Sequence, residues 1–172
     1  MKIITCDRSR LGAIREILND AILNTTALYE YQPRSVETMM SWFETKQRGD
    51  FQIIGVVNDD GALMGFGSYG VFRTNRAYKY TIEHSLYVSQ QFRGQGVGRM
   101  LLRELIAAAQ RQDYHVMVGV IDSQNGASIS LHRSYGFEHA GTVRQAGYKF
   151  GRWLDVEFHQ LILSNPQHPV EE

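Results

Sequence analysis

A glycine-rich stretch, Gln91-Phe-Arg-Gly-Gln-Gly-Val-Gly-Arg99, separates a strand-like run over residues 80–88 from a helix-like run over residues 100–112. Glycines at 94, 96 and 98 let the backbone approach a ligand with no Cβ in the way. Consecutive N–H groups that open onto a helix N-terminus form a concave site for an anion such as a pyrophosphate. Arg93 and Arg99 flank the loop and can add charge-assisted hydrogen bonds. Two common phosphate loops do not fit. A Walker loop closes with Gly-Lys-Ser/Thr, whereas this one closes with Gly98-Arg99. The dinucleotide fingerprint G-x-G-x-x-G needs glycine at position 99, which is arginine. Taken alone, the stretch can also be a plain strand-to-helix turn.

The surrounding pattern predicts alternating strands and helices. Residues 2–5 read as a strand, and Leu11, Ile14, Ile17, Leu18, Ala21 and Ile22 recur at helical spacing. Residues 33–48 form a second helical segment, with Ser35 as its cap and Val36, Met39, Met40 and Phe43 on its apolar side. Strands at 51–57 and 63–72 are joined by the turn Asn58-Asp-Asp-Gly61. A strand at 80–89 leads into the glycine stretch, and the next helix turns Leu101, Leu102, Leu105, Ile106 and Ala109 inward. Residues 115–121 are almost wholly apolar, as a buried parallel strand would be. A loop at 122–126 precedes a helix through Tyr135 that Gly136 ends. Strands at 138–145 and 153–163 close the series, with Gly147 and Gly151 marking the turn between them. The last residues, 164–172, read as a frayed tail after a single domain over 1–163.

Composition narrows the function classes. Lys plus Arg and Asp plus Glu both total 18, with no basic run, so nucleic acid is not an expected partner. No apolar stretch approaches a membrane span, and no signal peptide is visible at the N-terminus, so a cytoplasmic location is expected. The single cysteine, Cys6, allows no internal disulfide and suits a reducing compartment. It is either a nucleophile or, as the position favours, a small residue ending the first strand. No metal site is predicted.

Three constellations can carry chemistry. In Thr81-Ile-Glu-His-Ser-Leu-Tyr-Val88, alternation puts Glu83, Ser85 and Tyr87 on one face and Ile82, His84, Leu86 and Val88 on the other. A carboxylate inside a core strand is costly unless paired or used. Glu83 is therefore either a general base whose pKa burial raises, or the ion-pair partner of a residue such as Arg73. In Asn125-Gly-Ala-Ser-Ile-Ser-Leu-His-Arg-Ser-Tyr-Gly-Phe137, the residues Ser128, His132 and Tyr135 share one helix face. Tyr135 can donate a proton to a departing thiolate, and the Asn125 amide can bond an amide-bearing arm. His132 is either catalytic or a satisfied core histidine. Arg73-Thr74-Asn75, with Tyr78, follows the third strand; Arg73 is either a bidentate holder of a carboxylate or a solvated loop arginine.

The motif Gln91-x-x-Gly94-x-Gly96 resembles the pyrophosphate loop of the GCN5-related N-acetyltransferases (GNAT). Together with Thr81-Ile-Glu-His-Ser-x-Tyr-Val, Leu131-His132-x-x-x-Gly136-Phe137 and Gly147-Tyr-Lys-x-Gly-x-Trp-x-Asp155-Val156, it is similar to the phosphinothricin and methionine sulfoximine acetyltransferase branch. The resemblance spans residues 1–163. It implies an α/β fold with a mixed, mostly antiparallel sheet of seven strands flanked by helices, and a homodimer. It also implies direct acetyl transfer in a ternary complex, from acetyl-CoA as co-substrate to the α-amine of a small amino acid or analogue. On that basis Glu83 is the expected base, acting through water, with His132 and Tyr135 completing the catalytic set. Leu86, Tyr87 and Val88 would pair with the pantetheine by backbone, Gly94, Gln95, Gly96, Val97, Gly98 and Arg99 would hold the pyrophosphate, and Asn125 the pantetheine arm. Arg73, Thr74, Asn75, Glu83, His84 and Ser85 would meet the amino acid. Tyr135 rests on the wider family, since several members of the branch carry leucine there. A non-catalytic acetyl-CoA sensor would be expected to lose the base, which Glu83 retains. A protein N-terminal acetyltransferase needs an open groove, whereas the segment at 25–29 and the Arg73 loop suit a small closed pocket.

Overall fold

In the computed structural model, which describes residues 1–171, the elements run β1 (Lys2–Thr5), α1 (Leu11–Asn24), α2 (Val36–Arg48), β2 (Ile53–Val57) and β3 (Leu63–Val71). They continue through β4 (Thr81–Val88), α3 (Val97–Arg111), β5 (Val116–Asp122), α4 (Gly126–Arg133), β6 (Glu138–Lys149) and β7 (Arg152–Ile162). The seven strands form one sheet in the order β1-β2-β3-β4-β5-β7-β6. Only β4 and β5 are parallel; every other neighbouring pair is antiparallel.

Strand β2 is buried at every position, so both faces of the sheet need cover. Alternation sends Ile53 and Phe66 to one side, where α1 and α2 bring Ile14, Leu18, Met39 and Phe43. It sends Ile54 and Met64 to the other, where α3 brings Leu101, Leu102, Leu105 and Ala109. The Ser35 side chain accepts from Thr38 N–H and starts α2, as its residue type foretold.

Three expectations change. Helix α3 begins at Val97, not Met100, because Gly96 stands at φ 85° as its N-cap. Gly98 consequently lies inside the first turn, where a Cβ would come within 3.3 Å of Leu131 Cδ2. Its smallness serves the close approach of α3 to α4. Strand β6 runs on past residue 145 to Lys149, and the turn is Phe150-Gly151. Both turn residues have positive φ, 51° and 75°, which matches the right-handed twist of a two-residue hairpin. Gly147 therefore lies within the strand, and a Cβ there would meet the Tyr29 ring at 2.5 Å. The tail is tied back: Asn165 bonds Gln110 O and Asp113 Oδ1, and Val170 N–H donates to the Tyr80 hydroxyl at 3.0 Å.

The connection between α1 and α2 is clamped onto the β6–β7 hairpin. Lys149, 4% exposed, donates to the carbonyls of Ile22, Thr25 and Leu28 at 2.6, 2.8 and 2.6 Å. These include carbonyls at the end of α1, which the helix itself cannot satisfy. Tyr31 adds a 2.6 Å bond to Tyr148 O. Lys149→Met keeps the stem and removes every donor, leaving the carbonyls bare. We expect a loss of about 3 kcal/mol, seen in urea unfolding as a lower midpoint at unchanged slope. An unchanged midpoint would show that these carbonyls find other donors.

Candidate active site

Strands β4 and β5 pair only from Thr81↔Val116 to His84↔Gly119. Beyond that rung β4 stays bonded to β3 through Val88↔Gly65, and β5 stays bonded to β7 through Asp122↔Val156. The two strands thus part, and one edge of Ser85–Val88 backbone faces the gap instead of a neighbouring strand. Peptide groups on such an edge are free to pair with an extended, amide-bearing ligand.

The glycine loop stands at the mouth of this gap. Gly94 and Gly96 have φ 76° and 85°, and a Cβ on either would meet open space. The first helical bond of α3 is Met100 N–H to Gly96 O, so the N–H groups preceding it have no intrahelical partner. Their dipoles and the helix end favour a bound anion. A groove of about 700 Å³ runs from the loop into the gap. Of the residues expected to hold the cofactor, Leu86, Tyr87, Val88, Gly94, Gly96, Val97, Gly98 and Asn125 line it. Gln95 and Arg99 do not: the Gln95 amide folds back onto Gln91 O, and Arg99 O accepts from the Tyr135 hydroxyl at 3.0 Å. Asn125 caps α4, its Oδ1 accepting from Ser128 N–H at 3.1 Å, which leaves its NH₂ group as the donor.

The groove leads into a smaller cavity of about 70 Å³ lined by His84, Ser85, Gly119, Asp122, Asn125 and His132. His84 and His132 are both buried and face each other with their Nε2 atoms 2.9 Å apart. His84 Nδ1 lies 2.9 Å from Val118 O, and His132 Nδ1 lies 2.7 Å from Ser128 O. Burial, reinforced by His132, pushes His84 down to about 3, with the Val118 carbonyl opposing. Burial also lowers His132, against the Ser128 carbonyl. Two neutral rings carry one N–H each, while three contacts need one proton apiece. One contact therefore always joins two lone pairs, and a proton can pass along the pair by tautomer exchange. Gly119 leaves room for the arrangement, since a Cβ there would stand 3.0 Å from His84 Cε1 and 3.3 Å from His132.

Glu83, the preceding residue on β4, points to the opposite face and lines neither cavity. It is half-buried, and burial raises its carboxyl above the ordinary range while the charges of Arg73 and then Lys46 lower it. Arg73 is exposed, stacked 4.5 Å over the Phe72 ring and donating to Phe72 O. Thr74 and Asn75 are exposed beside it. The structure thus brings together the glycine loop, β4, Asn125 and the histidine pair, and leaves Arg73 to Asn75 outside these cavities. Tyr135 also lies outside them, its proton engaged by Arg99.

Asp122 and Lys46 were missed in the sequence. Asp122 is 4% exposed; its Oδ1 accepts from Gln124 N–H, and its buried Oδ2 has no hydrogen-bond partner among the described residues. A carboxylate closing an otherwise apolar strand was the available signal. Lys46 gave none, as it sits in the polar pattern of α2.

Residues 13–137 match the acetyltransferase (GNAT) family. The L-methionine sulfoximine/L-methionine sulfone acetyltransferase of Pseudomonas aeruginosa is 44% identical over 153 residues, 89% of each chain. An acetyltransferase structure from Acinetobacter baylyi superposes with a TM-score of 0.98 at 52% identity, covering 99% of this chain and 97% of that one. A Salmonella typhimurium acetyltransferase solved with acetyl-CoA superposes with a TM-score of 0.94 at 39% identity, covering 99% and 98%.

Proposed function

The chain belongs to the GNAT acetyltransferase family, and from that premise we propose that it moves the acetyl group of acetyl-CoA to the α-amine of a small amino acid or analogue of the methionine sulfoximine, methionine sulfone or phosphinothricin kind. The observation that carries this reading is the parting of β4 from β5 beyond His84↔Gly119, with the open glycine loop at its mouth. An extended thioester ligand fits such a gap: pyrophosphate on the α3 N-terminus, pantetheine amides along Leu86 to Val88 and Asn125, and the acetyl group near the rung where the strands diverge.

Transfer then needs few parts. Glu83 accepts, through water, the proton that frees the amine as a nucleophile. The amine attacks the thioester carbonyl, the C–N bond forms, and collapse of the tetrahedral intermediate breaks the C–S bond. The thiolate takes a proton as it leaves. Tyr135 reaches it only by exchanging its bond to Arg99 O for one to sulfur, whereas His132 offers a proton path through His84 within the small cavity. Arg73 supplies the counter-charge for the substrate carboxylate, swinging from its stack on Phe72.

The reading includes a cytoplasmic homodimer. Cys6 is a free, buried thiol that burial pushes up to about 11, so it is inert and suits a reducing compartment. No helix among the described residues is long and apolar enough to cross a membrane. Strands β6 and β7 expose Val143, Tyr148 and Trp153, with the two aromatic rings packed edge to face at 5.1 Å. A second copy covering this face would bury them. Sedimentation equilibrium should return twice the chain mass; the mass of a single chain would remove the dimer.

Thiol release from acetyl-CoA, assayed with methionine sulfoximine, methionine sulfone, phosphinothricin, free amino acids and short peptides, tests the activity. Turnover confined to peptides would move the protein to the N-terminal acetyltransferases, and no turnover with any acceptor would make it a sensor. Glu83→Gln keeps the shape and removes the proton acceptor. It should lower kcat about a hundredfold or more with acetyl-CoA affinity nearly unchanged. In the wild type, the acidic limb of kcat/KM should fall above the ordinary carboxylate range, activity appearing as Glu83 loses its proton. Near-normal turnover of Glu83→Gln would remove it from catalysis.

Arg73→Ala should weaken amino-acid use about ten- to a hundredfold, for a lost charge-assisted bond of about 1.5–3 kcal/mol, and leave the KM for acetyl-CoA almost alone. An amidated substrate sharpens the comparison. The wild type should discriminate strongly against it, and Arg73→Ala much less. Equal discrimination by both would mean that another residue reads the carboxylate.

A further inference from the structure

Lys46 takes no part in the steps above, yet its ammonium stands beside the base. It lies near the end of α2, and its side chain passes between aromatic rings, with Nζ 5.6 Å from the Trp42 centroid and 5.7 Å from that of Phe51. Nζ then donates to Tyr69 O on β3 at 2.7 Å. The next residue is Gly70, and a Cβ there would stand 3.1 Å from Nζ and crowd it. Gly70 is the register partner of Glu83. Side chains of antiparallel partners share a face, with Cβ atoms about 4.5–5.5 Å apart. The ammonium thus fills the space that a side chain at position 70 would take, immediately beside that of Glu83.

We propose that Lys46 is a positioning residue for the base: through the notch at Gly70 its ammonium keeps the Glu83 carboxylate charged in a half-buried setting. The inference rests on the assignment of Glu83 as base. The charges acting on Glu83 are Arg73 from the connection after β3 and Lys46 from α2, while Glu83 itself acts on Tyr87 of β4. Lys46 in turn faces Arg34, from the segment before α2. Burial drives the carboxyl up, and the two cations oppose it. Arg73 is exposed and therefore screened by solvent, so the half-buried Lys46 acts in the lower dielectric. Burial lowers Lys46 itself to about 8, with Glu83 opposing and Arg34 assisting, so it is still mostly charged at neutral pH.

The test is a carbon-13 NMR titration of the Glu83 carboxyl, its signal identified by loss in Glu83→Gln, in the wild type, Lys46→Met and Lys46→Arg. Lys46→Met should move the titration to higher pH, and Lys46→Arg should restore it. The acidic limb of kcat/KM should move with it, so Lys46→Met loses more activity on the acidic than on the alkaline side. Gly70→Ala crowds the notch while keeping the lysine, and should shift the titration the same way even if Lys46→Met folds poorly. A Glu83 titration unmoved in Lys46→Met and Gly70→Ala overturns the role of Lys46 alone. Turnover retained in Glu83→Gln overturns the assignment beneath it.

Discussion

Two imidazoles held against a glycine mark the point on which the site depends. His84 and His132 meet Nε2 to Nε2 at the last rung shared by β4 and β5, each anchored to a carbonyl, Val118 or Ser128, by its other nitrogen. The contacts tie α4 to both strands where ladder pairing stops. A Cβ at Gly119 would crowd both rings, which would have to give by a few tenths of an ångström. Past this point the sheet opens, and Leu86, Tyr87 and Val88 line a groove where β5 no longer pairs with β4. The groove, the glycine loop and the α4 cap at Asn125 are all arranged around that opening.

The two faces of β4 carry different ionisable groups. His84 belongs to the α3–α4 side, dry enough to keep its ring neutral. Glu83 belongs to the α1–α2 side, where two cations offset the effect of burial. A single strand can thus hold a half-buried carboxylate on one face and a buried histidine pair on the other, because successive side chains alternate.

The α1–α2 connection completes the enclosure at a distance. Its Ala27 lines both cavities, yet its position is set by Lys149 and by aromatic residues resting on the β6–β7 hairpin. Tyr29 packs on Gly147, where the missing Cβ leaves room for its ring. Hairpin geometry is therefore part of pocket geometry, and the two-residue turn at Phe150-Gly151 matters because it delivers Lys149 to the end of α1.

Local rules made much of this legible. The periodicity of Leu101, Leu102 and Leu105, the Ser35 cap, the Asn58–Gly61 turn and the glycine loop each depend on neighbours in the chain, so residue type alone determined the element order and the glycine-led start of α3. Glu83 was legible because a carboxylate is out of place in a core strand. Contacts between distant segments were not. Only the tertiary structure decided that His84 meets His132, 48 residues away, that Gly119 lies close against both rings, and that Gly98 serves helix packing. The same holds for Lys149 reaching α1 and for Lys46 passing Gly70 to stand by Glu83. Each of these is a contact between segments far apart in the chain. No motif says which distant group each of these residues meets, and the register that brings them together exists only once the sheet has formed.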